Sequence, residues 1–224
     1  MSLNLELRNL EPLGDQGILV SLGSEADAAR FAAACLEASW PWVVDVVLAY
    51  QSVAVFHDPE QIGCRAALDS LAGLPLREAA SRGKLHVIPC CYERQLDLPR
   101  ICRHTGLSAD EAVARHLAVE YTVYAIGFCP GFPYLGYLDE RLAGTSRLDQ
   151  PRLRVEPGSV GLAGRQTGIY PLPRPGGWNL IGQTPLELVN LEEGYFPLRA
   201  GDRVRFERID EAEFARLKGE RLPG

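Results

Sequence analysis

Short apolar runs broken by turns open the chain. Residues 4–10 and 17–22 read as strands either side of a turn at Gly14 and Asp15, and residues 43–49 (VVDVVLA) and 52–57 (SVAVFH), rich in β-branched side chains, read as a tight hairpin. Between them the period changes from two to 3.6. Ala28, Phe31, Ala32, Cys35 and Leu36 form one helical stripe, Ser24 with Asp27 three residues on supplies its cap, and Trp40-Pro41-Trp42 ends it. Asp58-Pro59 introduces a second helix through about residue 72, stopped by GLPL. The order ββαββα predicts a small α+β layer of the split, ferredoxin-like kind over residues 1–82, with its helices on one sheet face. The polar segment REAASRGK, residues 77–84, marks its end.

Residues 83–224 follow a different pattern. LHVIPCCY supplies a strand, residues 98–105 and 109–119 read as helices parted by Gly106, and Ser108 with Glu111 forms a capping box. After Tyr121 come YTVYAIGF, GSVGLAG, TGIYPL, WNLIG, LELV and DRVRFER, short strands parted by glycine, proline or polar turns, as in an all-β barrel or sandwich. Residues 127–185 hold 11 of the 22 glycines and 8 of the 16 prolines, so the shaped backbone is concentrated there. Within it GFCPGFPYLGYL, residues 127–138, is too aromatic for a linker and too broken for a helix. It is either an aromatic wall closing the fold or a surface for a ligand or partner.

Composition narrows the choice. The formal charge of −6 comes with no basic block, which argues against nucleic acid and anionic membranes, while 46% hydrophobic residues suffice for a packed core. Neither a secretory leader pattern nor a run of about 20 apolar residues occurs, so a cytoplasmic location is expected. The six cysteines lack CxxC spacing and the four histidines form no HExxH, so neither a disulfide scaffold nor a metal site is expected. The chain also lacks a GxxxxGK[ST] phosphate loop and a GxSxG nucleophile elbow. GLAGRQTG has glycines but no lysine.

The remaining chemistry is a cluster of Arg152, Arg154, Arg165, Gln166, Thr167 and Arg174. Arginine grips carboxylates bidentately, and glutamine and threonine read amides and carbonyls. Tyr134 and Tyr170 combine apolar rings with hydroxyls, as residues at a wet–dry boundary do, and Trp178 serves as core or pocket wall. Cys129 reads as a buried small hydrophobe. His116 has no evident nucleophile partner, and Asp139 with Glu140 suits acid/base chemistry or a solvated turn.

GFCPGFPYLGYL, followed by PGSVGLAGRQTGIYPLPRPGGWNLIGQTPLEL, closely resembles the signature of the family that includes the B subunit of 5-oxoprolinase, allophanate hydrolase subunit 1 and the KipI-type inhibitor of a sporulation histidine kinase. The resemblance covers most of the chain and is strongest over residues 116–189. His116, Arg147, Arg152, Gln166, Thr167, Tyr170 and Trp178 fall on signature positions, although Ser146 stands where proline is usual and VEPGSV where VPAGSV is commoner. The resemblance implies a small α/β domain followed by a cyclophilin-like β-barrel, in a protein that is inactive alone. Such a protein would act with the C subunit of 5-oxoprolinase, and with the A subunit for turnover, opening 5-oxo-L-proline to L-glutamate. It implies no cofactor on this chain, with ATP and Mg²⁺ at a partner. Kinase inhibition and allophanate or urea-related hydrolysis are the alternatives it carries. Catalytic residues stay unassigned. A pocket of Phe132, Tyr134, Arg152, Gln166 and Tyr170 would suit oxoproline, with Arg152 on the carboxylate, Gln166 or Thr167 on the lactam, and Arg165 assisting.

Overall fold

A computed structural model describes residues 7–75 and 83–222 of the chain. The start of the strand read at residues 4–10, and most of the segment 77–84, lie outside the described residues. The chain divides into two compact units, Met1–Arg82 and Gly83–Gly224.

In the first unit, strands β1 (Leu7–Leu13), β2 (Gly17–Leu22), β3 (Val43–Ala49) and β4 (Ser52–His57) pair antiparallel in the order β1-β2-β4-β3. Helix α1 (Glu25–Glu37) begins where the sequence places it, because Ser24 Oγ accepts the Asp27 N–H at 3.1 Å. It buries Ala28, Phe31, Ala32 and Cys35 against Ile18, Val20, Val53 and Val55. Helix α2 (Cys64–Ala72) starts five residues later than an Asp58 cap would place it. The Asp58 carboxylate instead accepts from the Glu60 N–H (2.9 Å) and the Gln61 amide (2.8 Å), holding a turn that the helix would have to break. Two hairpins side by side, each followed by a helix, are not the ferredoxin-like β-α-β-β-α-β arrangement.

The second unit contains β5 (Leu85–Cys90), a 3₁₀ turn (Tyr92–Arg94), α3 (Leu98–Thr105), α4 (Ala109–Leu117), β6 (Glu120–Ile126), β7 (Pro133–Gly136), β8 (Arg152–Val155), β9 (Ser159–Ala163), β10 (Gln166–Ile169), β11 (Arg174–Gly176), β12 (Asn179–Gln183), β13 (Arg203–Arg208) and α5 (Glu211–Leu217). Gly106 ends α3 at φ 73°, and the Ser108–Glu111 capping box starts α4 with both of its bonds formed. The ladder runs β5-β13-β6-β7-β10-β9-β12, with β5 and β13 parallel and the other pairs antiparallel. It does not close. The expected cyclophilin-like barrel is therefore replaced by an α+β fold with an open sheet. The gap has a local cause: beyond Cys90 the chain turns into the 3₁₀ segment, so β5 and β12 are linked through an isolated bridge, Cys91 to Gln183, and not a continuous ladder. Strands β8 and β11 form a separate two-stranded ribbon.

Three further differences have physical reasons. LELV is not a strand, since Leu188 and Val189 are buried without a ladder and only isolated bridges form at Glu187 and Asn190. Helix α5 has no apolar stripe to announce it, because it buries only Phe214; Asp210 caps it and the Arg94 guanidinium lies 4.0 Å above the Phe214 ring. Strand β7 hides inside GFCPGFPYLGYL, only four residues long between prolines and glycines.

What positions the site is a sheet section covered on both faces. Leu135 of β7, Val160 and Leu162 of β9, Thr167 and Ile169 of β10 and Ile181 of β12 turn to a core shared with Ile88, Ile101, Val113 and Phe206. Alternation sends Tyr134, Ala163 and Leu180 to the opposite face, where they meet Phe132, Val155, Tyr170 and Trp178. Burying each large side chain contributes about 1.5–3 kcal/mol. On that second face Gly161 and Gly168 stand directly opposite each other, and a Cβ on Gly168 would sit 2.9 Å from the Phe132 ring. Two glycines side by side let the aromatic rings lie on bare backbone.

Candidate functional site

Phe132 is the hub of this second face. Its ring meets Tyr134, Tyr170, Trp178 and Phe128 edge-on, at centroid distances of 5.0, 5.2, 5.5 and 5.4 Å. The rings wall a cavity of about 260 Å³, completed by Arg147, Leu148, Pro151, Pro175, Gly176 and Gly177. Phe132, Tyr170 and Trp178 are buried, whereas Phe128, held at φ 65°, stands 59% exposed at the mouth. Gly176 is required because a Cβ there would collide with the Tyr170 hydroxyl. Burial pushes the pKa of that hydroxyl up, against the weaker pull of the Trp178 backbone, Arg147 and Arg152.

Arg147 is the only charged residue lining the cavity, and its guanidinium makes no ion pair among the described residues. The loop that carries it is held from two sides. Arg100 donates to the Ser146 carbonyl (2.9 Å) and to Asn179 Oδ1, Asn179 donates in turn to Ser146 O (2.9 Å) and Leu162 O (3.0 Å), and the Leu148 N–H bonds Gly177 O at 2.7 Å. Asn179, wholly buried, thus ties β9 and β12 to the loop.

The structure brings together three of the residues expected at a pocket, Phe132, Tyr134 and Tyr170, and places the others elsewhere. Arg152 pairs with Asp97 at 2.8 Å, and Asp97 also accepts the Leu180 N–H at 2.7 Å. Arg152 lines a separate groove of about 390 Å³ with Glu93, Arg94, Arg154 and Glu156, where both charge signs mix. Arg165 stacks over Tyr137 at 4.7 Å. Gln166 is half-buried at the start of β10, opposite Gly136 and Ala163. Thr167 faces the main core. Its hydroxyl donates to Gly161 O (2.9 Å) and therefore accepts from His116 Nε2–H (3.0 Å), which leaves His116 Nδ1 to accept from Tyr92 Oη (2.7 Å). Burial drives the His116 pKa down to about 3, so the ring is neutral, and Tyr121 Oη caps the His116 carbonyl at 2.9 Å. This network is saturated and shut off from solvent. Burial raises the Cys129 thiol despite Arg174 nearby, so it is a poor nucleophile. Asp139 is engaged by Arg115 at 3.0 Å. Among the described residues no group of His, Cys, Asp and Glu is arranged to hold a metal, and no helix is long and apolar enough to cross a membrane.

Sequence reasoning missed Arg147, Phe128 and Pro151 as pocket residues. Arg147 had only its signature position to recommend it, and Trp178 serves as core and wall at once.

A two-sided sheet carries an aromatic pocket with one arginine at its edge. Residues 8–196 match the carboxyltransferase domain, subdomain C and D, and the chain belongs to that family. It is 36% identical to the 5-oxoprolinase B subunit of Bacillus subtilis, over 94% of this chain and 97% of that protein, and 36% identical to the 5-oxoprolinase B subunit of Haemophilus influenzae, over 88% and 96%. Among solved structures it resembles TTHA0988, with a TM-score of 0.77 and 39% identity over 87% of this chain. The match takes in only 40% of that longer protein.

Proposed function

We propose that this chain is the B subunit of an ATP-dependent 5-oxoprolinase, acting in the cytoplasm with the C subunit as its direct partner and the A subunit joining for turnover of 5-oxo-L-proline to L-glutamate. The observation that carries the reading is end-to-end similarity, at 36% identity, to a protein of that name covering 97% of the relative's length. The site supports it. Opening a lactam needs stabilisation of charge developing on the carbonyl oxygen, and ATP coupling needs a phosphate site. The pocket offers aromatic walls and one arginine, while the sequence holds no phosphate loop. On this reading ATP and Mg²⁺ are held by a partner, and this chain contributes binding groups.

The test is reconstitution. The chain alone, and mixed with the C and A subunits, is assayed for ATP-dependent glutamate release from 5-oxoproline. Turnover only by the full mixture, with this chain in a stable hetero-oligomer, is the expected result. Turnover by the chain alone contradicts the division of labour, and a verified complex that never turns over, together with tight inhibition of a histidine kinase, contradicts the assignment.

A further inference from the structure

The cavity of about 260 Å³ is smaller than the roughly 300–1,000 Å³ of sites that hold drug-sized ligands, so its occupant is small. Its walls are flat rings and proline faces, which suit an apolar or planar ring. Its one charge is positive. Nearby arginines have partners: Arg152 pairs with Asp97 through Nη2, although its Nη1 is buried without one, Arg154 pairs with Glu156, and Arg100 donates to Ser146 and Asn179. Arg147 alone lines the cavity as a charged side chain; it is exposed and makes no ion pair among the described residues, beside walls of aromatic rings and prolines. A guanidinium in that setting is a fork for a carboxylate.

We propose that the pocket walled by Phe132, Tyr134, Tyr170 and Trp178 binds a small ring-bearing carboxylate, with Arg147 gripping the carboxylate and Arg100 positioning Arg147 through Ser146 and Asn179. This rests on the 5-oxoprolinase reading and sharpens it, since 5-oxoproline belongs to that class of ligand. It also moves the carboxylate anchor from Arg152, which Asp97 already neutralises, to Arg147.

Calorimetric titration of the full chain, and of its complex with the C and A subunits, with 5-oxo-L-proline and with 2-pyrrolidinone, the same ring without a carboxylate, tests this. The acid is expected to bind at least about 10-fold tighter than the lactam, and Arg147→Ala to weaken the acid by about 10–100-fold while leaving the lactam unchanged. Arg147→Lys should recover part of the loss, and Arg154→Ala should bind as wild type. Arg100→Leu should weaken binding by a smaller factor in protein that remains folded, which a purely structural role would not do. Equal binding of acid and lactam, wild-type affinity in Arg147→Ala, or no binding to either preparation overturns the proposal. The broader assignment is judged separately: a complex that turns over with the same KM for wild type and Arg147→Ala sinks the site and leaves the 5-oxoprolinase role standing. Carboxylate binding to this chain without turnover by the complex does the reverse.

Discussion

Two clusters in the second unit are built from the same sequence motif and do opposite things. In GRQTGIYP, Thr167 turns inward to His116 and Tyr92, where each ring nitrogen and hydroxyl has a partner and no water enters. Three residues later Tyr170 lies on the other side of the sheet, against an open cavity whose one cation has no partner among the described residues. The difference teaches that an open hollow beside a cation with no ion pair, more than motif density, marks a place where something binds. A saturated buried network is finished; an exposed arginine at the rim of a hollow is free to meet a ligand.

The sharpest way to break this contrast is to remove the hub of the open cluster. Phe132→Ala should destabilise the second unit by about 3–5 kcal/mol, read by denaturant unfolding, because the ring touches four others and sits on bare glycine backbone. The closed cluster predicts a pH effect next in size. His116 has a folded pKa of about 3 against about 6.5 unfolded, so the unfolded chain binds the extra proton between those values. Stability should be complete above about pH 6.5 and fall by up to about 1.4 kcal/mol per unit as the pH drops toward 3. His116→Gln should flatten that acid limb in pH-dependent unfolding. Thr167→Val leaves the His116 Nε2–H buried without an acceptor and should cost about 1–3 kcal/mol, yet the affinity of folded protein for a pocket ligand should not change. A change in affinity would erase the distinction between the clusters. Smallest of all, Arg154→Ala breaks a solvent-screened surface pair with Glu156 and should leave the unfolding midpoint indistinguishable from wild type.

The sequence made some of this legible and concealed the rest for identifiable reasons. Caps depend on neighbours in the chain, so Ser24, Gly106 and Ser108 could be placed directly, as could the apolar stripe of α1. Sheet closure depends on register across distant strands, and no local pattern announces that β5 stops at Cys90 before reaching β12. Register also decides which face a side chain takes. Thr167 reads as a ligand contact until the pairing of β10 with β9 puts it opposite Leu162, on the core side. Arg152 shows the same limit for charge: its partner Asp97 lies 55 residues away along the chain, as Arg100, which donates to the Arg147 carbonyl, lies 47 residues from that loop.

The central claim is that the aromatic pocket, and not the His116 network of the same motif, is the binding surface. NMR mapping of the full chain titrated with 5-oxo-L-proline tests it in one experiment. Saturable shifts are predicted at the Trp178 indole, at the Gly176 and Gly177 amides and at the Arg147 guanidinium, with Thr167 and the His116 ring unmoved. Shifts centred on His116, Tyr92 and Thr167 with a silent Trp178 would contradict it.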